Sequence, residues 1–438
     1  MITSLVGGLI GTAVLGHHAT AALVAFALSQ AVLNPATAAV AGALRGMSPF
    51  LAPHRGNPAA ALPMLRDARW LALSLGTAGA VVVACTPLIA QASGAPAEVL
   101  AELGALPWWL AAYIAVFAAS GGAGAALIAL GRSRPVFWAS LAAALTEVVL
   151  ALVLVPVLGL PGMGLAFLAS ALVSTQVAGF FLRRVPGLES YSAWPGRPRT
   201  AEILRMARVG LPMAGTTLVK FAALAVVTYA AARTGVAGAA AHAVLSSTFG
   251  FLFLGALAVA MASMPEVARA QTVAEARRVT RAALTVGGGV ALVGAVAVLL
   301  FQDAIFGLLT PDPAVRGVAA SLVGLLVLAS LADAVQMVMG FGLSGLKRSW
   351  WSLVSFAGSY GVLVVIIHPV VSTWGLAGIW WAMLANGVVL IGLQSYGFHR
   401  FSGRLETTPP PPPPLPPRPP ARPHTEPADP ALTRWFLR

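Results

Sequence analysis

Three side chains able to carry charge stand inside long apolar stretches of this 438-residue chain: Glu147, Lys220 and Asp333. Each lies roughly 12–17 residues from one end of its stretch, which on a helix is a rise of roughly 18–25 Å, near the middle of a bilayer or past it. A charge at that depth costs from about 3 to more than 10 kcal/mol unless it is paired or hydrated in a cavity. Low dielectric favours the neutral form of a carboxylic acid, which suits such a group to taking up and giving off a proton near neutral pH. Asp333 therefore reads as a proton or cation site, against a plain hydrogen-bonded contact between helices. Lys220 reads as a charge partner that tunes Asp333, against a side chain snorkelling to an interface. Glu147 reads as a second protonatable site, against a neutral acid packed between helices. His242 falls near a helix end and is a candidate for lining a cavity. No second His or Cys stands at metal-ligand spacing, so neither a metal nor a cofactor is expected. The chain holds no Walker A loop, no HExxH, no GxSxG and no nucleophile beside a base, which disfavours both ATP-driven transport and enzyme chemistry.

These residues need long apolar elements to hold them, and the composition supplies little else. With 58% hydrophobic and 9% charged residues and a mean hydropathy of +0.85, an ordinary soluble protein is excluded. Apolar runs long enough to cross the hydrocarbon as helices are predicted near 1–16, 20–44, 68–93, 107–130, 135–158, 160–182, 207–231, 236–263, 282–309, 317–346, 350–371 and 375–399. The fold class is thus an all-α polytopic membrane protein of twelve helices.

The net charge of +13 is a statement about topology. If the helices alternate from a cytoplasmic N-terminus, every Lys and Arg except Lys220, Arg233 and Arg316 falls on the cytoplasmic side, so both termini are expected there. Nucleic-acid binding is not expected, and attraction to anionic lipid is secondary. Cys85 is alone, which excludes an intrachain disulfide.

The two halves repeat. Gly131-Arg-Ser-Arg134, Pro156 and Gly159-Leu-Pro-Gly162 are echoed by Leu346-Lys-Arg-Ser349, Pro369 and Gly375-Leu-Ala-Gly378, and Ala21–Ser29 by Gly238–Ser246. An even number of helices per unit makes this a parallel six-plus-six repeat, the kind whose interface forms a central cavity in transporters. The expected organisation is an N-terminal six-helix lobe (1–185), a cytoplasmic linker (186–206), a C-terminal six-helix lobe (207–400) and a Pro-rich disordered cytoplasmic tail (401–438). The tail has polyproline II composition and reads as a solvated extension, or as a ligand for a Pro-recognising partner. By the repeat offset, the first helix reads as truncated by about ten residues before Met1, against a natural half-helix. It is followed by further membrane helices, so it does not read as a cleavable leader.

With repeat, linker and buried charges in place, the chain resembles the MATE (multidrug and toxic compound extrusion) family across essentially residues 1–400. The matching pieces are Ile10–Gly16 with Ala21-Ala-Leu23, Leu130–Pro135, Gly159–Gly164, Gly210-Leu-Pro212, Ala240–Ala243, Met264–Arg269, and Asp333 before Gly345–Arg348. Their order and spacing carry the resemblance, since none is specific alone. It implies two six-helix lobes in a V, a central cavity, and export of small amphipathic, often cationic compounds in exchange for protons or sodium, by a cell-membrane protein acting as a monomer. Asp333 matches the acidic position of the family's tenth helix. Lys220 matches a position that is acidic in sodium-type members, and its charge favours protons over sodium. The first half departs from the pattern: the first-helix Asp is Gly11 here, and the fifth-helix Asn and Asp fall on Glu147 and Ala151. Either Glu147 has taken over the missing role, or coupling has moved to Asp333, or transport follows another scheme. Rival readings are a flippase for lipid-linked glycans, which would favour a cavity with several Arg residues, an integral-membrane enzyme, and a non-transporting membrane scaffold.

Overall fold

The computed structural model describes residues 20–92, 97–191 and 196–405. The first predicted helix, Gly11 and almost all of the Pro-rich tail lie outside them. Ten long helices follow one another: α1 Thr20–Arg45, α2 Leu62–Ala84, α3 Leu106–Ala129, α4 Ser133–Leu158, α5 Leu160–Arg183, α6 Thr200–Ala232, α7 Val236–Arg269, α8 Val273–Leu309, α9 Pro313–Gly345 and α10 Ser349–Ser402. No strand occurs among the described residues. Nine helical stretches among them are long and apolar enough to cross a membrane.

One glycine conformation accounts for two turns of the repeat. Gly159, between α4 and α5, has φ 63° and ψ −138°, and Gly375, within α10, has φ 57° and ψ −144°. An L-residue with a Cβ rarely adopts that backbone, so glycine lets the chain reverse between helices with one residue of turn. Its partner in each motif completes the turn: a Cβ on Gly162 would meet the Leu154 carbonyl, and one on Gly378 would meet Val370. Consequently α10 is two membrane-length helices joined at Gly375, as the predicted pair 350–371 and 375–399 requires. The turn before α4 is repeated as well. Gly131 (φ 76°) and Lys347 (φ 59°) both end a helix in left-handed conformation, with the following amide, of Arg132 or Arg348, bonded back to Leu127 or Leu343.

Packing divides the chain near the middle of α6. One apolar core contains Phe26, Leu44, Leu110 and Ile114 and extends to Met206, Ala207 and Val209 on α6. A second begins with Ala223, Val227 and Ala230 on the same helix and is filled by α7, α9 and α10, with Trp380 fully buried. Between them lies Gly210-Leu-Pro212, where proline removes a helical hydrogen bond. The helix starts at Thr200, earlier than the predicted 207, because its first turns continue the first core.

The segment joining the halves is tied to α2. Arg199 donates from its backbone N–H (3.2 Å), Nε (2.8 Å) and Nη2 (2.6 Å) to the buried Asp67 carboxylate. Arg69 Nε donates to the Tyr191 hydroxyl at 2.8 Å and its guanidinium lies 4.4 Å from the same ring. Trp70 Nε1 donates to the Gly196 carbonyl. Asp67→Asn removes the charge that holds the guanidinium, and the expected loss is about 1–2 kcal/mol, since Arg199 is half exposed. Faster trypsin cleavage after Arg199 in the folded protein checks this; an unchanged rate means the segment is held by its apolar contacts alone.

Candidate functional site

The buried charges predicted from the sequence fall in two places. Lys220 on α6 and Asp333 on α9 meet: Nζ donates to Oδ1 at 3.0 Å and to Oδ2 at 3.2 Å. Both side chains are largely out of solvent, 17% and 12% exposed. The ammonium also lies 4.5 Å from the Phe253 ring of α7, whose electron-rich face attracts it. A small cavity opens beside the pair, walled by Lys220, Phe249, Asp333, Tyr360, Met383 and Asn386 among others, and so by four helices of the second half. The Asn386 side-chain oxygen accepts from the Ser359 hydroxyl at 2.6 Å. Deeper between α9 and α10, Gln336 Nε2 donates to Gln394 at 3.1 Å, and Gln394 Nε2 to Ser352 at 3.3 Å.

Glu147 stands apart, on α4 in the first half. The Ser170 hydroxyl of α5 donates to its Oε2 at 3.4 Å, while Oε1 is buried with no partner among the described residues. Ser170 is held more firmly by the Phe167 carbonyl, at 2.8 Å, so it is a weak anchor for Glu147. Ala151, one turn on, is also buried, so Glu147 and Ala151 share the inward face of a helix with few other buried residues.

His242, expected on a cavity wall, is not among the residues bordering the Lys220–Asp333 cavity. It is buried in the second core, its ring 5.9 Å from that of Trp380, with Ser246 Oγ 3.3 Å from Nε2. Among the described residues no cluster of His, Cys, Asp or Glu could hold a metal.

Sequence reasoning passed over a second set of polar contacts, where the two halves meet at the end bearing Arg45 and Arg269. Arg55 Nη1 lies 2.8 Å from Glu266 Oε1, and Glu266 is also paired with Arg269 at 3.0 Å. Two cations lie over the Phe50 ring, Lys347 of the second half at 4.6 Å and Arg205 of α6 at 5.5 Å from the ring centre. Burial, with Arg205 alongside, pulls the Lys347 ammonium below its ordinary range. Gly46 and Gly210 let α1 and α6 touch backbone to backbone at the same end. The charges here looked like ordinary loop charges in the sequence, and no spacing signal connects Arg55 to a residue 211 positions away.

A polytopic helical protein with an ion pair and a cavity inside one half, and a polar seam joining that half to the other, has the construction of a membrane transporter. The family model MatE matches residues 212–370, which include Lys220 and Asp333 but not Glu147. A probable multidrug resistance protein NorM of Aromatoleum aromaticum is 28% identical over 400 residues, covering 86% of this chain and 82% of that one. The NorM protein of Xanthomonas axonopodis pv. citri is 26% identical over 432 residues, 92% of each chain. The fold is that of the Vibrio cholerae MATE transporter VcmN in its bent form: TM-score 0.79 at 16% identity, covering 93% of this chain and 94% of that one. The chain thus has the fold of the MATE transporters, and the MatE family model matches the part of it that carries the ion pair.

Proposed function

We propose that this protein is a secondary antiporter of the cell membrane that exports small amphipathic or cationic drugs or metabolites in exchange for protons. The buried Lys220–Asp333 pair beside a cavity carries this reading, and the multidrug resistance named for the NorM relatives supports it. Both termini, and the end of the bundle where Arg55 meets Glu266, face the cytoplasm in this reading. Residues 1–185 and 207–400 act as two lobes joined by 186–206, which rock about the α6 crossing, with residues 401–438 as a cytoplasmic tail.

In the cycle, the substrate enters from the cytoplasm while Asp333 is ionised, the lobes reverse, and a proton arriving from outside neutralises Asp333 and releases the substrate. Each proton moving inward contributes about 2.3 kcal/mol per 100 mV, enough for more than a tenfold gradient. Sodium fits less well, because a hard cation needs several oxygens and Lys220 Nζ already occupies both oxygens of Asp333. Glu147 is a second proton site, in the first lobe.

Dye efflux from everted vesicles under imposed gradients tests the reading. A proton gradient alone is expected to drive efflux; efflux driven only by sodium overturns the proposal. Glu147→Gln keeps the side chain's shape and an oxygen that can accept from Ser170, so stability is expected to change by less than about 1 kcal/mol while proton-driven efflux falls about tenfold or more. Unchanged efflux in that variant assigns Glu147 to packing.

A further inference from the structure

The corner of the second half where α8 begins and α10 ends gathers guanidinium groups from three stretches of chain. Arg277 and Arg281 stand one turn apart on α8, Arg348 at the turn between α9 and α10, and Arg400 and Arg404 at the end of α10. Contacts draw these stretches together. Arg277 Nη2 donates to the His399 carbonyl at 3.5 Å, and the guanidinium carbons of Arg348 and Arg404 lie 5.1 and 5.5 Å from the Phe401 ring centre.

No acid answers this charge. Among the described residues none of Arg277, Arg281, Arg348 and Arg400 pairs with a carboxylate. Glu275, next along the chain, is engaged at its own helix start: Oε2 accepts from the Gln271 backbone N–H, and the Glu275 N–H donates to the Thr272 hydroxyl. Arg277 Nε is buried with no hydrogen-bond partner among the described residues. A donor left so costs free energy, and an acceptor at the corner removes that cost by drawing the guanidinium outward.

The repeat supplies a comparison. Setting Gly131 against Leu346 and Gly159 against Gly375 sets Arg66 against Arg281 and Arg184 against Arg400. In the first half the corner holding Arg66 is covered by the segment that joins the halves, with Arg199 on Asp67, Tyr191 on Arg69 and Gly196 on Trp70. Its counterpart stays open: Arg281, Arg348, Arg400 and Arg404 are exposed, and Ala282 stands where the acid Asp67 would fall. The chain that follows sets Arg418, Arg422, Arg434 and Arg438 against Glu406, Glu426 and Asp429, so it brings no net negative charge to cover the corner.

The corner also lies at the level of a membrane surface. Trp350 is exposed beside Arg348, and exposed Tyr396 reaches Phe401 through the Trp351 ring, as aromatic residues do among lipid headgroups. Deeper along the same helices, Val286 and Val290 of α8 and Val389 of α10 are exposed and apolar. A soluble anion uses the guanidinium groups alone. A phospholipid uses them and the apolar faces as well.

We propose that this corner is a binding site for an anionic phospholipid of the adjacent leaflet, the cytoplasmic one in the reading above. Arg277, Arg281 and Arg348 hold the oxygens of its phosphate by charge-assisted hydrogen bonds, and its acyl chains lie along α8 and α10. Binding does not depend on the transport cycle, so its failure leaves the antiport reading untouched.

Native mass spectrometry of the full chain in detergent, titrated with dioleoylphosphatidylglycerol or dioleoylphosphatidylcholine, tests it. The first phosphatidylglycerol is expected to bind about thirtyfold more tightly than the first phosphatidylcholine. Arg281→Gln with Arg348→Gln should weaken it about twentyfold, at roughly fivefold for each guanidinium. Arg132→Gln with Arg134→Gln removes as much charge from the matching turn of the first half and should change it by less than about twofold. All four side chains are exposed, and if the first pair fails to fold, Arg281→Gln alone carries the test with a loss of about fivefold. Neutralising the tail, as Glu406→Gln with Glu426→Gln and Asp429→Asn, should leave binding unchanged. The proposal is overturned if the two lipids bind alike, or if both Arg pairs weaken phosphatidylglycerol equally, which is diffuse attraction to a basic surface. It is also overturned if glycerophosphoglycerol, the headgroup without its chains, competes at the lipid's own concentration, or if neutralising the tail strengthens lipid binding about tenfold, which makes the tail the occupant.

Discussion

Asp333→Asn is expected to end proton-driven export and to destabilise the fold together, and the second effect is the larger in energy. The substitution leaves the Lys220 ammonium buried without its counterion, a loss of about 3–5 kcal/mol when one member of a buried pair is removed. The neighbourhood offers little compensation, since beyond Asp333 the ammonium has the Phe253 ring and the uncharged groups of the cavity. Removing both charges, as Lys220→Met with Asp333→Asn, is expected to recover most of that stability, because a neutral pair no longer carries the desolvation penalty. Export should not recover, since no titrating group remains at the site. Thermal unfolding in detergent and dye efflux from vesicles read the two effects separately. A double variant that exports with proton coupling would show that Asp333 is structural; one no more stable than Asp333→Asn would show that the pair is already solvated.

Gly210→Ala should have the next largest effect, and on conformation. At that position a Cβ would run into the Ala43 carbonyl oxygen of α1, backbone that has no flexible end to yield. Overpacking of this kind costs about 1–3 kcal/mol, and here the strain is relieved by separating the two halves at the end where Arg55 meets Glu266. The closed arrangement at that end should therefore lose population. Spin labels at the exposed positions 66 and 278, one in each half, should show a longer distance in Gly210→Ala than in wild type. An unchanged distance with unchanged stability would mean that α1 slides along α6 to make room. Glu266→Gln should act in the same direction but weakly, because its ion pairs are about two-fifths exposed.

Much of this was legible in the residues. The helices beyond Thr20 follow from apolar length, and the structure moves their ends by a turn or two, mainly where amphipathic extensions such as Val273–Arg281 continue a helix past the hydrocarbon. The repeat was legible because it is written in turn residues, and Gly159 and Gly375 repeat their dihedral angles as well as their neighbours. Asp67 was not legible: beside Arg66 and Arg69 it reads as one charge in a loop, yet it is buried under Arg199 from 132 residues away.

The sequence by itself determined that Glu147, Lys220 and Asp333 are costly inside a membrane, because the cost of a buried charge depends on depth and composition, both of which are local. Which of them would share that cost was decided only by the tertiary structure. Lys220 and Asp333 are separated by 113 residues and meet because α6 and α9 both pack into the second core. Among the described residues Glu147, on α4, has no ionic partner, and the first core offers it a serine. Pairing energy falls off with distance in three dimensions, and sequence separation carries no record of that distance.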